Sequence, residues 1–227
     1  MQIPKSYSGA GGENFELSRL YPKDDARAAE VALRKKETIP FQNYHDAMEQ
    51  VINGNDVGYR EKETWDPPAE WINDIHYRIT QKIGLNDFSC LKVHPALGTA
   101  LDYYHGVDFV VSYTEPETGT SVTVTADLTL NTKKDFYKAD VIINRKGAIP
   151  ALKFTSVQAQ EIEDVRDDDP QVKAALENKR RDAVVDVIVG IMLEKLDHPR
   201  TTEEKRVAGI RVQKRRSIRE NLYSGSY

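Results

Sequence analysis

Two aspartates lie in strand-like segments where this residue type is unusual. Asp108 opens the run Phe109 to Tyr113, and Asp127 lies inside the run Val122 to Leu130. Both runs are rich in Val, Thr, Tyr and Phe, whereas aspartate is depleted in strands. The two positions therefore indicate a role for the carboxylates, and one such role is to share a divalent cation, Mg²⁺ or Mn²⁺.

Carboxylates that hold a metal ion are what hydrolysis of a phosphodiester requires, and a nearby lysine helps by stabilising developing charge. Neighbouring strands lie only about 4.8 Å apart, so acids on adjacent antiparallel strands converge if a hairpin pairs them. The separation of Asp108 and Asp127 is compatible with a hairpin that turns at residues 115–120. The spacing permits a metal site without requiring one.

The order of predicted strands and helices around these acids indicates an α+β fold, with an antiparallel or mixed β-meander sheet backed by helices. Strands are predicted at Phe109 to Tyr113, Val122 to Leu130 and Lys138 to Ile143, with further strands within 88–93 and 147–154. Helical spacing of apolar residues predicts helices at 26–36, 44–52, 67–83 and about 170–196.

Composition divides the chain into four parts. Residues 1–25 contain three glycines and two prolines, and we interpret them as a flexible N-terminal arm. Residues 26–66 form a short helical region, residues 67–199 the α/β core, and residues 200–227 a basic C-terminal tail.

Charge is distributed unevenly along the chain. The net charge of −4 argues against a uniformly basic protein that coats nucleic acid. The C-terminal tail is nevertheless basic, which favours contact with nucleic acid phosphates, although a solvated helix or a segment that docks on an acidic protein has the same composition. The tail residues expected to bind nucleic acid, most simply DNA, are Lys205, Arg206, Arg211, Lys214, Arg215, Arg216 and Arg219.

Cysteine content and hydropathy bear on the cellular compartment. Cys90 is the single cysteine, so an internal disulfide and a cysteine-rich metal site are excluded. No apolar run approaches the roughly 20 residues that cross a bilayer, and the start of the chain lacks the apolar centre of a signal peptide. We expect a cytoplasmic protein that does not insert into a membrane.

In the chain, a helix that carries an acid comes first, Gly106-Val107-Asp108 then precedes a strand, and the next strand contains a second acid. The order of these elements resembles that of the PD-(D/E)xK nuclease superfamily. The resemblance covers about residues 68–195 and rests on short motifs. It implies an αβββαβ core like that of restriction endonucleases, with one Asp at the start of the second strand and Asp/Glu-x-Lys on the third. Asp108 and Asp127 match the two acids.

The lysine of that motif is replaced, since Thr129 occupies its position. The resemblance implies that a lysine from a neighbouring element would serve instead. The candidates are Lys133, Lys134, Lys138 and Lys153. An extra acid on the preceding helix would be Glu70 or Asp74, and Asp102 is another candidate.

The resulting hypothesis is a Mg²⁺- or Mn²⁺-dependent nuclease that hydrolyses DNA. Asp108 and Asp127 would hold the metal with help from Glu70, and Lys133 or Lys134 would act in catalysis. The alternative is a non-catalytic assembly protein, which docks on a protein partner or on a second copy of itself through its two ends. Asp108 would then be a turn residue, and Asp127 would belong to a polar stripe with Thr125 and Thr129.

Overall fold

A mixed sheet organises the part of the chain that the computed structural model describes, namely residues 10–34, 39–54, 57–129, 139–144, 147–150 and 170–197. Five strands are seen there, in the spatial order β1-β2-β3-β4-β5. They are β1 (Leu91–Pro95), β2 (Phe109–Thr114), β3 (Ser121–Leu128), β4 (Val141–Asn144) and β5 (Gly147–Pro150). The predicted α+β class with a mixed sheet is confirmed.

Strand direction departs from a simple meander after β3. The strands β1, β2 and β3 are antiparallel neighbours, and a turn at Glu115–Thr120 joins β2 to β3 as predicted. The next strand, β4, pairs with β3 in parallel, and β5 returns antiparallel to β4. A meander, in which all neighbouring strands are antiparallel, therefore describes only β1 to β3.

Helices cover both faces of the sheet. Those described are α1 (Ala10–Leu20), α2 (Ala26–Arg34), α3 (Tyr44–Ile52), α4 (Glu61–Trp65), α5 (Glu70–Ile83), α6 (Ala100–His105) and α7 (Pro170–Asp197), with a 3₁₀ turn at Phe88–Cys90. The predicted helices at 44–52 and 170–196 are confirmed nearly to the residue. The side chain of Asn43 caps α3 by accepting a hydrogen bond from the Asp46 N–H at 3.0 Å.

The larger core lies on what we call the first face of the sheet. Apolar residues of α5 and α7 pack there against alternate residues of β1 to β4. The strand residues on this face include Val93, Phe109, Val111, Val124, Ala126, Leu128, Val141 and Ile143. The second face carries the intervening strand residues, and a smaller cluster that includes Ala47 of α3, Leu101 of α6 and Val110 of β2 covers part of it.

The N-terminal arm predicted for residues 1–25 is wrong from Ala10 onward. Residues Ala10–Leu20 form α1, and Leu20 and Tyr21 are fully or almost fully buried. The Tyr21 hydroxyl donates a hydrogen bond to the carbonyl of Val57 at 2.8 Å. Glycine-rich composition suggested disorder, but long-range burial of two large side chains stabilises the segment.

Three other boundaries differ from the sequence expectation. No helix was predicted between residues 53 and 66, where α4 lies, and the helix predicted from residue 67 starts at Glu70. The residues before Asp108 form α6, where no helix was predicted. These helices have only five and six residues, so periodicity gives almost no signal for them.

None of the helices in the described ranges is both long enough and apolar enough to cross a membrane. The basic tail at 200–227 and the lysines Lys133, Lys134, Lys138 and Lys153 lie outside the described residues.

Candidate functional site

A glycine turn delivers Asp108 to the start of β2. The helix α6 ends at Gly106, whose φ of +63° is left-handed, a conformation that glycine adopts without steric cost. Val107 is then buried between the helix and the sheet, and Asp108 follows at the edge of the strand. The Gly-Val-Asp sequence is thus a structural unit that reverses the chain and presents the acid.

Asp108 is integrated into the end of the sheet. Its side chain is 3% exposed. Its backbone N–H donates to the carbonyl of Ala126 at 2.8 Å, and its own carbonyl accepts from the N–H of Ala96 at 2.8 Å. Its Oδ2 accepts a hydrogen bond from the backbone N–H of Leu128. One oxygen of the carboxylate therefore replaces a backbone acceptor next to β3.

Asp108 lies beside the segment of β3 that contains Asp127. The regular pairing of β2 with β3 ends at Phe109 and Ala126, and Asp108 then bonds on both sides of Asp127, through its N–H to the Ala126 carbonyl and through its Oδ2 to the Leu128 N–H. Ala126 and Leu128 point into the first-face core, and side chains alternate along a strand, so Asp127 points to the opposite face. Asp127 is 4% exposed. The structure therefore brings together the two acids that the sequence singled out.

Thr129, at the expected lysine position, follows the end of β3. It is buried, and its backbone N–H donates to the carbonyl of Ile143 at 2.9 Å. Thr125 lies on the same face as Asp127 and is also buried, so the predicted polar stripe is not a solvent-exposed surface.

Two lysines on or against the sheet are too far along the strands to replace the motif lysine. The Lys195 ammonium donates to the carbonyl of Thr123 at 2.6 Å, four residues before Asp127, which is roughly 13 Å along β3. Lys92 pairs with Ser112, a similar distance of about 13 Å along β2 from Asp108. Lys133, Lys134 and Lys138 belong to the connection between β3, which contains Asp127, and β4, which pairs with it.

Glu70 and Asp74 lie in another part of the molecule. Both line a shallow surface pocket between α5 and α7, and Glu70 is exposed. Asp74 accepts hydrogen bonds from Arg78 at 2.8 Å and from Arg181 at 3.0 Å. The helix α5 packs on the first face, whereas Asp127 points to the second, so the described geometry does not join these acids to the pair.

Asp102 also has a local structural role. Its Oδ2 accepts a hydrogen bond from the Gly98 N–H at 2.9 Å, and this contact stabilises the turn that leads into the N-terminal end of α6. Within the described ranges, no three His, Cys, Asp or Glu side chains are grouped closely enough to hold a metal ion. The candidate site therefore consists of the two acids that the sequence singled out, Asp108 and Asp127, and no third acid from the described ranges joins them.

The histidines near the site serve the fold. His105 Nε2 lies 3.0 Å from the Gln42 carbonyl, and its ring packs edge-on against Tyr44 at 5.4 Å between centroids. His94 is buried on the second face with Nε2 2.9 Å from the Ser112 hydroxyl. Burial, aided by the nearby Lys92 charge, lowers the pKa of His94 to about 4. A neutral imidazole is the form that this site favours.

One polar group next to the site was not predicted. Asp140, just before β4, accepts hydrogen bonds from the Thr125 N–H at 2.9 Å and from the Lys195 ammonium at 2.7 Å. Asp140 and its two partners come from three separate parts of the chain, so no local sequence pattern links them. The composition of the run that leads into β4 gave no sign that Asp140 turns inward.

Comparison with known proteins does not identify a family. The chain matches no family model, no curated protein and no solved structure. Any functional interpretation therefore depends on the residues and contacts described above.

Proposed function

We propose that this protein is a metal-dependent nuclease of the PD-(D/E)xK type that hydrolyses phosphodiester bonds of DNA. The observation that carries the proposal is the placement of Asp108 and Asp127. They lie at adjacent ends of two antiparallel strands, where Asp108 bonds the backbone of Ala126 and Leu128 on either side of Asp127, and both are buried. Two acids held this close are costly unless a cation, a proton or hydrogen-bond donors compensate their charge.

The pair suits Mg²⁺ or Mn²⁺ better than a softer metal. Both side chains offer carboxylate oxygens, and Mg²⁺ is commonly bound through one or two carboxylates while it keeps several waters and substrate oxygens. The chemistry that such an ion would supply is polarisation of the phosphate and activation of water. A third protein acid is not needed for this mode of binding.

The residues of the protein would position the metal ion and the DNA and stabilise the charge that develops during hydrolysis. The Leu128 N–H donates to Oδ2 of Asp108 and so fixes the orientation of the carboxylate that would be one metal ligand. Asp127 would supply the second carboxylate from the end of β3, where it is the penultimate residue. A lysine of the β3–β4 connection, Lys133, Lys134 or Lys138, would stabilise the charge that develops on the phosphate. The basic tail would hold the DNA backbone.

The order of the described elements agrees with a core of the restriction-endonuclease type in its first part, since α5 precedes the three antiparallel strands β1 to β3. The helix that the αβββαβ order has between its third and fourth strands would fall in residues 130–138, outside the described residues, and α7 follows β5. The short helix α6 between β1 and β2 is an addition to that order. It is also the element that ends in Gly106 and delivers Asp108.

The decisive experiment is a Mg²⁺ or Mn²⁺ titration of the protein in the presence of labelled DNA. The double variant Asp108→Asn/Asp127→Asn is compared with Asp182→Asn, an acid on α7 whose side chain is 61% exposed. We expect metal binding and cleavage to disappear together in the double variant and to persist in Asp182→Asn. Cleavage that survives Asp127→Ala in a folded protein would refute the assignment.

The alternative assembly function predicts a different outcome. If neither the wild-type protein nor the double variant binds metal or cleaves DNA in the titration, the two aspartates would be structural. Docking through the chain ends would then be favoured. Part of that alternative is already weakened, because α1 packs within its own chain.

A further inference from the structure

The parallel pairing that contains Asp127 is short. Only Ala126, Asp127 and Leu128 of β3 have partners on β4, namely Val141, Ile142 and Ile143. The carboxyl-terminal end of this pairing is closed by the hydrogen bond from the Thr129 N–H to Ile143. A three-residue ladder depends strongly on what holds its other end.

Side-chain bonds from Asp140 close that other end. The Asp140 N–H donates to the Thr125 carbonyl at 2.9 Å and to the Thr125 hydroxyl at 3.0 Å. In return, Oδ2 of Asp140 accepts from the Thr125 N–H at 2.9 Å and from the Thr125 hydroxyl at 3.1 Å. The Asp140 carboxylate thus extends the hydrogen bonding between β3 and β4 by one position, to Thr125, which lies two residues before Asp127.

Lys195 attaches this end of the ladder to α7. Its ammonium donates to Oδ2 of Asp140 at 2.7 Å and to the carbonyl of Thr123 at 2.6 Å. The side chains of Lys195 and Asp140 are 24% and 14% exposed, so the pair is partly shielded from water. A carboxylate in that position gains from a fixed counter-charge.

We propose that Lys195 is a positioning residue for the Asp108–Asp127 site. It acts through Asp140, which fixes the register of β4 on β3 and therefore the position of Asp127 and both attachment points of the connection at residues 130–138. Lys195 itself stays too far from Asp127 to touch a substrate there. The effect on catalysis rests on the proposed nuclease function, whereas the effect on strand register does not.

The register is tested by hydrogen exchange of the full chain, resolved at single amides. Lys195→Met and Asp140→Asn are compared with Lys82→Met, because Lys82 makes a similar ion pair with Asp186 between α5 and α7, away from β4. We expect at least about tenfold faster exchange at Thr125 and Thr129 in the first two variants and no change there in Lys82→Met. The amides of α5 should keep their protection, which separates local opening from general destabilisation.

The site is tested by the Mg²⁺ concentration that gives half-maximal DNA cleavage. Residues that orient metal ligands typically alter metal affinity by about 10- to 100-fold. We expect a shift of that size towards weaker binding in Lys195→Met, and Lys195→Arg should restore the wild-type value to within about threefold. The double variant Lys195→Met/Asp140→Asn should be no worse than the more affected single variant, since both act through one contact.

Each result bears on a separate claim. If wild-type protein does not cleave at any Mg²⁺ concentration, the proposed function fails and hydrogen exchange alone decides the positioning role. Unchanged exchange at Thr125 and Thr129 in Lys195→Met overturns the inference regardless of cleavage. Faster exchange with an unchanged Mg²⁺ requirement in an active enzyme overturns the link between this contact and the site.

Discussion

The carboxylate of Asp108 accepts a hydrogen bond from the backbone N–H of Leu128, the residue after Asp127. This contact joins the start of β2 to the end of β3 and orders the pair of acids without any ligand. A structural role and the proposed role in metal binding would therefore coincide at Asp108. Substitutions at this position separate the two.

Asp108→Ala should destabilise the fold more than Asp108→Asn does. Alanine leaves the buried N–H of Leu128 without its acceptor, which typically costs about 1–3 kcal/mol, whereas the amide oxygen of asparagine can still accept. The measurement is urea unfolding without metal. Equal stabilities of the two variants would show that the Leu128 contact contributes nothing, while both variants should lose metal-dependent cleavage.

Removal of divalent metal should lower stability only when both acids are present. A ligand that binds only the folded state at 100 times its Kd adds about 2.7 kcal/mol to the free energy of unfolding. Thermal unfolding of wild-type protein with Mg²⁺ and with a chelator should therefore differ, and Asp127→Asn should show no such difference. A chelator effect that persists in Asp127→Asn would place the metal elsewhere.

The burial of α1 predicts that the N-terminal region contributes to folding. Leu20→Ala removes a fully buried side chain and should cost about 2–5 kcal/mol. Leu33→Ala is the matched control, because the side chain of Leu33 is 61% exposed and its loss should change stability by less than about 0.5 kcal/mol. Similar small effects in both would mean that α1 and the residue after it do not pack as described.

His94 should make the protein sensitive to mild acid. Its folded pKa of about 4 lies below the ordinary 6.5, so the unfolded chain takes up a proton first as the pH falls between these values. Stability attributable to this residue is thus complete above pH 6.5 and declines towards pH 4, by at most roughly 3 kcal/mol.

His94→Gln should flatten the stability profile between pH 6.5 and 4, even if glutamine lowers stability at neutral pH. The measurement is the free energy of unfolding at several pH values. His45→Gln, at an exposed position of α3, is the control for the loss of an imidazole outside the core. An identical acid response in His94→Gln and wild-type protein would contradict the prediction.

Arg27 links α2 to α4 through two carboxylates. Its guanidinium lies 2.7 Å from Oδ2 of Asp25 and 2.6 Å from Oε2 of Glu63. The hydrogen bond from Arg27 lowers the pKa of Asp25 below its ordinary 3.8, so this contribution is present above that pH and disappears as the pH falls further.

Arg27→Met should therefore cost about 1 kcal/mol at neutral pH and progressively less below about pH 4. Arg34→Met is the matched control, because its pair with Glu30 lies on one helix and is more exposed, so the cost should be about 0.3 kcal/mol. Chemical unfolding at pH 7 and pH 3 measures both. A cost for Arg27→Met that does not shrink at pH 3 would show that packing, not charge, is lost.

How far the sequence predicts this fold depends on the range of the contacts. The hairpin of β2 and β3, the helices α3 and α7 and the adjacency of Asp108 and Asp127 follow from local features: alternation, apolar periodicity, Asn43 as a cap and Gly119 in the turn. These features act within a few residues, so they are legible in the chain itself.

The sequence alone determined which segments form strands and long helices, and which two acids stand out among them. Only the tertiary structure decided that β4 runs parallel to β3, that α1 is folded, that Glu70 lies apart from the acid pair and that Lys195 meets Asp140. Each of these outcomes depends on burial or ion pairing between residues far apart in the chain. Such contacts have no periodic signature, since their free energy arises only when the packed core brings the partners together.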